Sequence, residues 1–334
     1  MAKTTILITG ATGLIGGRLA QHLTTQATPD TEIRALVRSP HKAQHLAELG
    51  VKLILGDLTD SSSIQQAISG CNMVYHAAAW VGEDGDLSQV WAANVTGTQY
   101  LVEAAIVENV KRFVHLSSCA VYGSLQEFDI DETMPMYRTG NLYADTKIAA
   151  EEFVMQAYEK RNLPVTIARP SQVYGPNSNQ FTVRPIRAIK SGKMMLIDGG
   201  HHLCKPIYID NLIDGLLLCG SHKSAVGEVF NFSDGAPVSW RDFFGAYGQM
   251  LGKERLPSAP YPVGWSVALF YEIQALFRGK KANLNRRVLD ALRSSNSFSS
   301  QKAQQLLGWQ PKVDLAEGMR RTETWLREAG YLSS

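Results

Sequence analysis

Cysteine is scarce in this chain. The four cysteines are Cys71, Cys119, Cys204 and Cys219, and none belongs to a Cys-x-x-Cys pair or has histidines nearby at the spacing of metal ligands. A disulfide-stabilised secreted domain and a structural metal site are therefore not expected. We interpret the cysteines as free thiols in a reducing compartment and expect a cytoplasmic protein.

A strong charge bias and long apolar runs are also missing. The 334 residues include 33 Lys and Arg and 31 Asp and Glu, a formal net charge of +2, which gives no basis for nucleic acid or an anionic membrane as partner. No apolar run reaches the roughly 20 residues of a membrane span, and the N-terminus lacks the charged and apolar regions of a signal peptide. Apolar residues still make up 45% of the chain, as in ordinary globular proteins.

Short apolar runs alternate with helical patterns in the first half of the chain. The predicted strands are 6–8, 33–37, 51–55, 73–76, 112–117 and 165–169, and the predicted helices are 14–26, 40–49, 61–69 with a serine cap, 87–109 and 143–161. This alternation predicts an α/β fold, a Rossmann doubly wound parallel sheet with helices on both faces.

The pattern becomes irregular after Pro170. It predicts a strand at 229–232, helical structure over 261–292 and a further helix at 301–307. At about 150 residues per domain, the length allows two domains. We expect a dinucleotide-binding domain at 1–175, with later strands near 207–232 returning to it, and a smaller, mainly substrate-binding region at 176–334.

A glycine-rich turn links the first predicted strand to the first helix. Gly10 allows a tight turn, Gly13 lets the backbone approach a pyrophosphate, and Gly16 lets the helix pack closely. The helix N-terminus offers unpaired N–H groups and a partial positive charge to the phosphates. In its strand–turn–helix context, this glycine triplet predicts a dinucleotide site.

The second strand ends without the acidic residue that holds the ribose of NAD. Arg38 stands there instead, and Glu32 is at the wrong end of the strand. A guanidinium pairs well with a 2′-phosphate, so NADP is expected and NAD is less favoured, with a solvated loop arginine as the alternative. Asp57, after the third strand, is expected to accept a hydrogen bond from adenine; the alternative is a helix cap near residue 60.

Tyr143 and Lys147 are four residues apart and therefore share a helix face. A nearby ammonium favours the phenolate of a tyrosine, which suits proton transfer. Ser118 follows the fifth strand, at the edge where doubly wound sheets bind ligands. It is a candidate to hold the substrate oxygen near Tyr143.

Several motifs occur in a recognisable order. They are the glycine turn, Asp57, His76-Ala77-Ala78-Ala79, Asn94-Val95-Thr96-Gly97-Thr98, the stretch around Ser118, Tyr143xxxLys147, and Arg169-Pro170 followed by Val173-Tyr174-Gly175-Pro176. Over nearly its whole length the chain thus resembles the extended short-chain dehydrogenase/reductase family, within the NAD-dependent epimerase/dehydratase superfamily. The resemblance implies Ser118, Tyr143 and Lys147 as the catalytic triad, with Lys147 lowering the pKa of Tyr143 and binding the nicotinamide ribose. It implies Asn94 as a helix-bending residue that supports the site.

The glycine turn and the resemblance together give a predicted cofactor-binding set. Its members are Gly10, Thr12, Gly13, Leu14, Ile15, Gly16, Arg38, Asp57, Leu58, Ala77, Ala78, Ala79, Asn94, Ser117, Tyr143, Lys147, Pro170 and Val173. His76 is interpreted as a sheet histidine and is not included. A homodimer is compatible with the sequence, which does not determine the oligomeric state.

The resemblance is nearest to the 3β-hydroxysteroid dehydrogenase-like and dihydroflavonol reductase-like branch. Sugar-nucleotide members usually carry Arg-Asp-Phe where this chain has Cys204-Lys205-Pro206, and Ser171 stands where many epimerases have asparagine. We therefore expect an NADP(H)-dependent oxidoreductase acting on a hydrophobic carbonyl or alcohol: steroid-like, flavonoid-like or 3-oxo-acyl-like. The alternatives are a sugar-nucleotide epimerase or dehydratase that retains NAD, and a non-catalytic NADP sensor.

The segment 261–273 is rich in aromatic and aliphatic residues. It resembles the amphipathic segment that covers the site in hydroxysteroid-like members, and a core helix is the alternative. Basic residues flank it: Arg278, Lys280, Lys281, Arg286 and Arg287. They are expected to form a solvated face, although such a pattern also fits a helix lying against a membrane surface.

Overall fold

The computed structural model describes residues 3–81, 86–123, 128–277 and 285–333. Its centre is a seven-stranded sheet in which all neighbouring strands are parallel. The strands, in chain order, are β1 Thr4–Thr9, β2 Thr31–Val37, β3 Lys52–Leu55, β4 Met73–His76, β5 Arg112–Leu116, β6 Val165–Pro170, β7 Gln172–Tyr174, β8 Leu196–Ile197, β9 Leu203–Cys204, β10 Pro206–Tyr208, β11 Val229–Phe232, β12 Val238–Ser239 and β13 Ser258–Ala259. The sheet order is β3-β2-β1-β4-β5-β6-β11, which confirms the predicted doubly wound fold.

Helices connect the strands on both faces of the sheet. They are α1 Leu14–Gln26, α2 Gln44–Glu48, α3 Ser61–Ile68, α4 Leu87–Trp91, α5 Gly97–Val107, α6 Leu142–Arg161, α7 Arg184–Lys190, α8 Ile209–Ser221, α9 Trp240–Met250, α10 Tyr261–Phe277, α11 Arg286–Arg293, α12 Gln301–Leu307 and α13 Leu315–Glu328. Two large apolar clusters fill the space between sheet and helices: one includes Ile8 and Leu19, and the other includes Leu7 and Leu101. Adjacent residues of β1 thus enter opposite clusters, as the two-residue repeat of a strand requires.

Three local predictions need correction. The cap of α3 is Asp60, whose carboxylate accepts the N–H of Ser62 at 3.0 Å; the predicted serine cap is wrong, because an ionised carboxylate is a strong acceptor for free N–H groups. The predicted helix 40–49 begins as a 3₁₀ turn at Pro40–Ala43. The predicted helix 87–109 contains a π-helical turn at Ala92–Thr96.

The second half of the chain contributes to the central sheet. β11 pairs with β6 in the register Val229–Ile167 to Phe232–Pro170. β10 does not join the central sheet but pairs with β7 in a separate two-stranded sheet. β7 begins only two residues after β6 ends, so this small sheet extends from the carboxyl edge of the large one. The division at residue 175 stays a prediction.

Candidate functional site

The sheet order reverses between β1 and β4. The chain leaves β1 towards β2 and β3 on one side and returns through β4 to β5 and β6 on the other. The carboxyl ends of parallel strands at such a reversal form a crevice, which is where open α/β sheets bind ligands. The predicted site residues on loops and helix ends follow these strand ends.

The glycine turn is shaped by close backbone contacts. Gly10 has φ +72°, and a Cβ there would lie 2.6 Å from the amide nitrogen of Ala78. A Cβ on Gly16 would lie 2.4 Å from the carbonyl oxygen of Gly10. Both positions therefore exclude a side chain for reasons internal to the fold. Gly13 differs, because its φ is −92° and a Cβ would meet only the Gly10 carbonyl, at 3.2 Å.

The N-terminus of α1 suits a pyrophosphate. Among the residues that the structure describes no side chain caps this helix, and its first turn carries no acidic residue, so its leading N–H groups remain for a ligand. The open face at Gly13 leaves room for that approach. Nearby, at the end of β5, the buried Ser117 hydroxyl has no hydrogen-bond partner among the described residues. These features fit a dinucleotide, which would be held by the α1 N-terminus and the alanines after β4.

Arg38 and Asp57 lie side by side at the ends of β2 and β3. The Arg38 Nε and an Asp57 carboxylate oxygen are 4.0 Å apart, and the Arg38 side chain is 79% exposed. Asp57 accepts the N–H and the hydroxyl of Thr59, both at 2.9 Å. Since Asp60 caps α3, the helix-cap alternative for Asp57 does not hold. Exposed Arg38 is available to a phosphate at this edge.

Tyr143 and Ser118 meet where α6 passes the end of β5. α6 is capped by Asn141, whose side chain accepts the N–H of Ala144 at 3.0 Å, so Tyr143 lies in the first turn. The Ser118 hydroxyl hydrogen-bonds the phenol oxygen and lowers the pKa of Tyr143, but burial is the larger effect and raises it. The expected lowering of the pKa of Tyr143 by Lys147 stays a prediction. A neutral phenol is favoured, which suits a proton donor.

Lys147 lies one turn further along α6 and is 3% exposed. Its ammonium donates to the Leu116 carbonyl oxygen at 2.5 Å. Burial lowers the pKa of Lys147 to about 8, partly offset by the carboxylate of Glu151. The amine is thus charged at neutral pH and sits beneath the end of β5, close to the Ser117–Ser118 segment.

Asn94 occupies the middle of the π-helical turn and is 3% exposed. Its side-chain oxygen accepts the N–H of Trp80 at 2.6 Å, and its amide donates to the Thr146 hydroxyl at 3.0 Å. Asn94 therefore connects the loop after β4 with the α6 segment that carries Tyr143 and Lys147. π-helical turns recur at functional sites because they redirect side chains locally.

Sequence reasoning missed a buried polar network behind the triad. The Arg169 Nε donates to both carboxylate oxygens of Glu151 at 3.1 Å, and its Nη1 donates to the Tyr122 hydroxyl at 2.6 Å. Tyr122 in turn donates to the Asn231 side-chain oxygen at 2.9 Å. The available signal was the spacing, since Glu151 follows Lys147 by four residues and so shares its helix face.

His76 lies inside the sheet, as interpreted from sequence. Its ring nitrogens are 2.7 Å from the Thr9 hydroxyl and 2.8 Å from the Thr98 hydroxyl. Burial, followed by the charge of Lys147, lowers the pKa of His76 to about 3. The imidazole is therefore neutral at physiological pH, and both its nitrogens are paired.

The other predicted cofactor residues lie along the same strand ends. Ala77, Ala78 and Ala79 directly follow β4, and the Ala78 N–H donates to the Thr9 hydroxyl at 3.3 Å. Leu58 contacts Gly97, where a Cβ would lie 2.8 Å from the Leu58 Cβ. The remaining members are exposed Thr12, half-buried Leu14 and Ile15, and buried Pro170 and Val173. Their roles toward a cofactor stay predictions.

α10 exposes most of its apolar side chains. Among its residues only Gly264 and Ala268 are buried, whereas Phe270 is 61% and Leu276 79% exposed, so the core-helix alternative is wrong. Arg286 pairs with Glu272 at 2.8 Å. Arg278, Lys280, Lys281 and the side chain of Arg287 lie outside the described residues. Within the described ranges, no helix combines the length and apolarity needed to cross a bilayer.

The chain matches a known protein family. A family model described as the NAD dependent epimerase/dehydratase family matches residues 6–232. The chain belongs to this family. The predicted membership in the extended short-chain dehydrogenase/reductases is thereby confirmed, and with it a nicotinamide-dinucleotide-dependent protein family.

The curated relatives of this family member include named oxidoreductases. One is a 4-hydroxy-2-methyl-3-oxo-4-farnesyl-3,4-dihydroquinoline-1-oxide ketoreductase of Stigmatella aurantiaca, 29% identical over 97% of this chain and 96% of its own length. Another is a 3-beta-hydroxysteroid dehydrogenase of Mycolicibacterium neoaurum, 26% identical over 94% of this chain and 89% of its own. These relatives agree with the branch predicted from sequence.

Solved structures share the fold. The UDP-glucose 4-epimerase of Thermotoga maritima, determined with UDP-glucose, gives a TM-score of 0.79 at 19% identity and covers 98% of this chain and 99% of its own. At that identity the likeness concerns the architecture alone.

Proposed function

We propose that this family member is an NADP(H)-dependent oxidoreductase that interconverts a ketone and a secondary alcohol on a hydrophobic substrate. The observation that carries the proposal is the hydrogen bond between Ser118 and Tyr143 above the buried ammonium of Lys147. This arrangement provides a proton donor and a second hydroxyl beside the crevice of the sheet. A protein that only senses the cofactor has no use for both.

The chain's residues act on the substrate oxygen. In the reductive direction Ser118 hydrogen-bonds the carbonyl oxygen and Tyr143 transfers its phenolic proton to it as negative charge develops. Lys147 holds the nicotinamide ribose, and the α1 N-terminus holds the pyrophosphate. When bound, NADPH supplies the hydride. Asn94 keeps α6 in place through Thr146.

The preference for NADP rests on Arg38. It directly follows β2, where an acidic residue would favour NAD, and its guanidinium reaches solvent; among the described residues its one ion-pair neighbour is Asp57, at 4.0 Å. A charge-assisted bond to the 2′-phosphate contributes about 1.5–3 kcal/mol. The carboxylate of Asp57 would accept a hydrogen bond from adenine on the same edge.

An apolar substrate is favoured over a sugar nucleotide. Cys204 stands in the stretch where sugar-nucleotide members usually carry Arg-Asp-Phe, and its buried thiol donates to the Gln172 side-chain oxygen at 3.1 Å. The thiol of Cys204 stands in place of the guanidinium of that motif, so the bidentate hydrogen bonding that an arginine gives to a phosphate is not available from this residue. The two curated relatives named above act, by their names, on a farnesylated quinoline oxide and a hydroxysteroid, both largely apolar.

One assay panel tests the proposal. Purified protein is mixed with NADPH or NADH and with ketones of steroid, flavonoid and 3-oxo-acyl type, and reduced nicotinamide is followed by absorbance. Turnover with NADPH and no calorimetric binding of UDP-glucose is expected. Tight UDP-glucose binding with no net NADPH consumption would replace the proposal by the epimerase alternative.

A further inference from the structure

Lys205 is fixed at the edge of the crevice by its backbone. It joins β9 to β10, its N–H donates to the Gln172 side-chain oxygen at 2.9 Å, and its carbonyl accepts the Gln172 N–H at 3.0 Å. Gln172 opens β7, two residues after β6 ends. The position of Lys205 relative to the end of β6 is therefore determined by paired main-chain groups rather than by a free loop.

The side chain of Lys205 has no partner within the described part of the chain. The residue is 8% exposed, and among the described residues nothing forms a hydrogen bond or ion pair with its ammonium. The three other buried cations are all paired: Lys147 with the Leu116 carbonyl, Arg169 with Glu151, and Arg112 with the Cys219 and His222 carbonyls. Burying a lysine side chain with no hydrogen bond or ion pair among the described residues is costly, and an anionic ligand would offset that cost.

Lys205 lies on the substrate side of the triad. Its charge acts on the thiol of Cys119, the residue that directly follows Ser118. Neighbouring strands of the sheet follow the order β1, β4, β5, β6. Ser118 follows β5 and therefore lies between the glycine turn, which follows β1, and Lys205, which lies beyond β6. The dinucleotide is expected at the glycine turn. Lys205 is thus placed on the side of Ser118 opposite the glycine turn, where we expect the rest of the substrate to extend.

We propose that Lys205 binds a carboxylate of the substrate, so that the enzyme acts on an apolar oxo acid or the matching hydroxy acid. The inference rests on the proposed oxidoreductase function and specifies its substrate class. One ammonium matches the single charge of a carboxylate, and the apolar remainder of the substrate follows from the proposed function. Lys205 is a specificity residue and takes no part in proton or hydride transfer.

The first experiment measures selectivity. Benzoylacetate and its methyl ester share a ketone and a ring and differ in charge, and kcat/KM for both is measured with NADPH in the wild type, Lys205→Met and Lys205→Arg. In Lys205→Met we expect the ratio of kcat/KM for the acid to kcat/KM for the ester to fall roughly ten- to a hundredfold, the range of a charge-assisted hydrogen bond. The fall should come from a higher KM for the acid. Lys205→Arg should recover part of the ratio. An unchanged ratio in Lys205→Met overturns the inference.

The second experiment does not depend on turnover. Calorimetry measures binding of 3-phenylpropanoate, which has no ketone to reduce, and of its methyl ester to the NADP⁺-loaded protein. Wild type should prefer the acid and Lys205→Met should lose that preference, whereas Lys253→Met should keep it. Lys253 is a matched control, since its partly buried ammonium donates to the Ile189 carbonyl at 2.6 Å.

The two experiments separate the two proposals. Acid-selective binding that depends on Lys205, without reduction of any ketone, supports the carboxylate site and refutes the oxidoreductase function. Ketone reduction with equal binding of acid and ester in the wild type refutes the carboxylate site alone. Failure of the wild type to bind either probe also refutes it.

Discussion

The ammonium of Lys147 donates to the main-chain carbonyl of Leu116 at 2.5 Å. This bond joins the first half of α6 to the last residue of β5. Ser118 follows Leu116 by two residues, and Tyr143 precedes Lys147 by one helical turn. The bond therefore sets the spacing between the strand end and the helix that together carry the proposed triad.

Replacing Tyr143 by Phe tests the proton donor. The change keeps the ring and removes the phenolic proton, so kcat should fall by at least about 10²-fold while the NADPH dissociation constant and the melting temperature stay close to wild type. Steady-state kinetics on any accepted ketone provides the check. Near-normal kcat would mean that the chain shares the family's fold without this chemistry.

Replacing Ser118 by Ala tests the second hydroxyl. We expect slower turnover and little change in cofactor affinity, because Ser118 contacts the phenol oxygen rather than the glycine turn. Loss of the hydrogen bond also removes the contribution that lowers the pKa of Tyr143, so the group titrating in the kcat profile should move to higher pH. A variant that loses stability but keeps the activity of its folded fraction would indicate a structural role.

Replacing Lys147 by Met should weaken cofactor binding and lower kcat together. In the wild type the pKa of Lys147 is lowered to about 8, so its charge is present below that pH and lost as pH rises through it. NADPH affinity should therefore decline above about pH 8 in the wild type and vary less in Lys147→Met. Fluorescence titration of NADPH from pH 6.5 to about 9.5 measures this, and parallel profiles in both proteins would contradict it.

Replacing Arg38 by Ala should change cofactor choice. Loss of the bond to the 2′-phosphate should weaken NADPH roughly ten- to a hundredfold and leave NADH within a small factor. The dissociation constants of NADPH and NADH, measured for the wild type and for Arg38→Ala, test this prediction. Arg184→Ala is the control, because Arg184 is exposed on α7. Arg34→Ala is unsuitable, since the Arg34 guanidinium is paired with Glu32. Equal wild-type affinities for the two cofactors would eliminate the NADP assignment.

Lys205→Met should stabilise the fold at neutral pH. Burial lowers the pKa of Lys205 from 10.5 to about 8. Below pH 8 the folded state carries the full cost of the charge. Between pH 8 and 10.5 the folded state releases the proton that the unfolded chain retains, so the destabilising contribution of Lys205 shrinks as pH rises. The pKa values of Cys119 and Cys204 are raised well above this window, so both thiols stay neutral.

The free energy of unfolding of Lys205→Met should therefore exceed that of the wild type by on the order of 1–3 kcal/mol at pH 7. This difference should shrink towards pH 10. Chemical denaturation at both pH values measures it. A variant that is less stable than wild type at pH 7 would show that Lys205 has a structural partner, and a constant difference between the two pH values would contradict the depressed pKa.

The sequence predicted the parts of this protein that are governed by local patterns. β4, α1, α12 and β11 have the predicted bounds because apolar periodicity and glycine or serine punctuation coincide there. The lowered pKa of Lys205 was beyond reach, because it depends on which residues of distant segments become neighbours after β7 and β10 pair, and no periodicity encodes that pairing. The spacing of Glu151 from Lys147 was a signal for a buried carboxylate, but it does not identify Arg169 as the partner.

The π-helical turn shows a second limit. Over 87–109 the apolar repeat reads as one helix, and a single extra residue in one turn barely changes the repeat. In this turn the Asn94 side chain pairs with both the N–H and the carbonyl of Trp80. These bonds require the loop after β4, and the partner of Asn94 follows only from the three-dimensional structure.

The placement of β11 at the edge of the sheet has a consequence for biosynthesis. β6 ends at Pro170, but its outer neighbour is made some sixty residues later, at Val229–Phe232. While the ribosome synthesises the intervening chain, β6 presents a row of unpaired N–H and C=O groups, the kind of edge at which nascent chains associate wrongly. A nascent chain stalled or cleaved shortly after Gly175 should thus be recruited to chaperones or aggregate, even though it already contains the whole glycine turn and the triad.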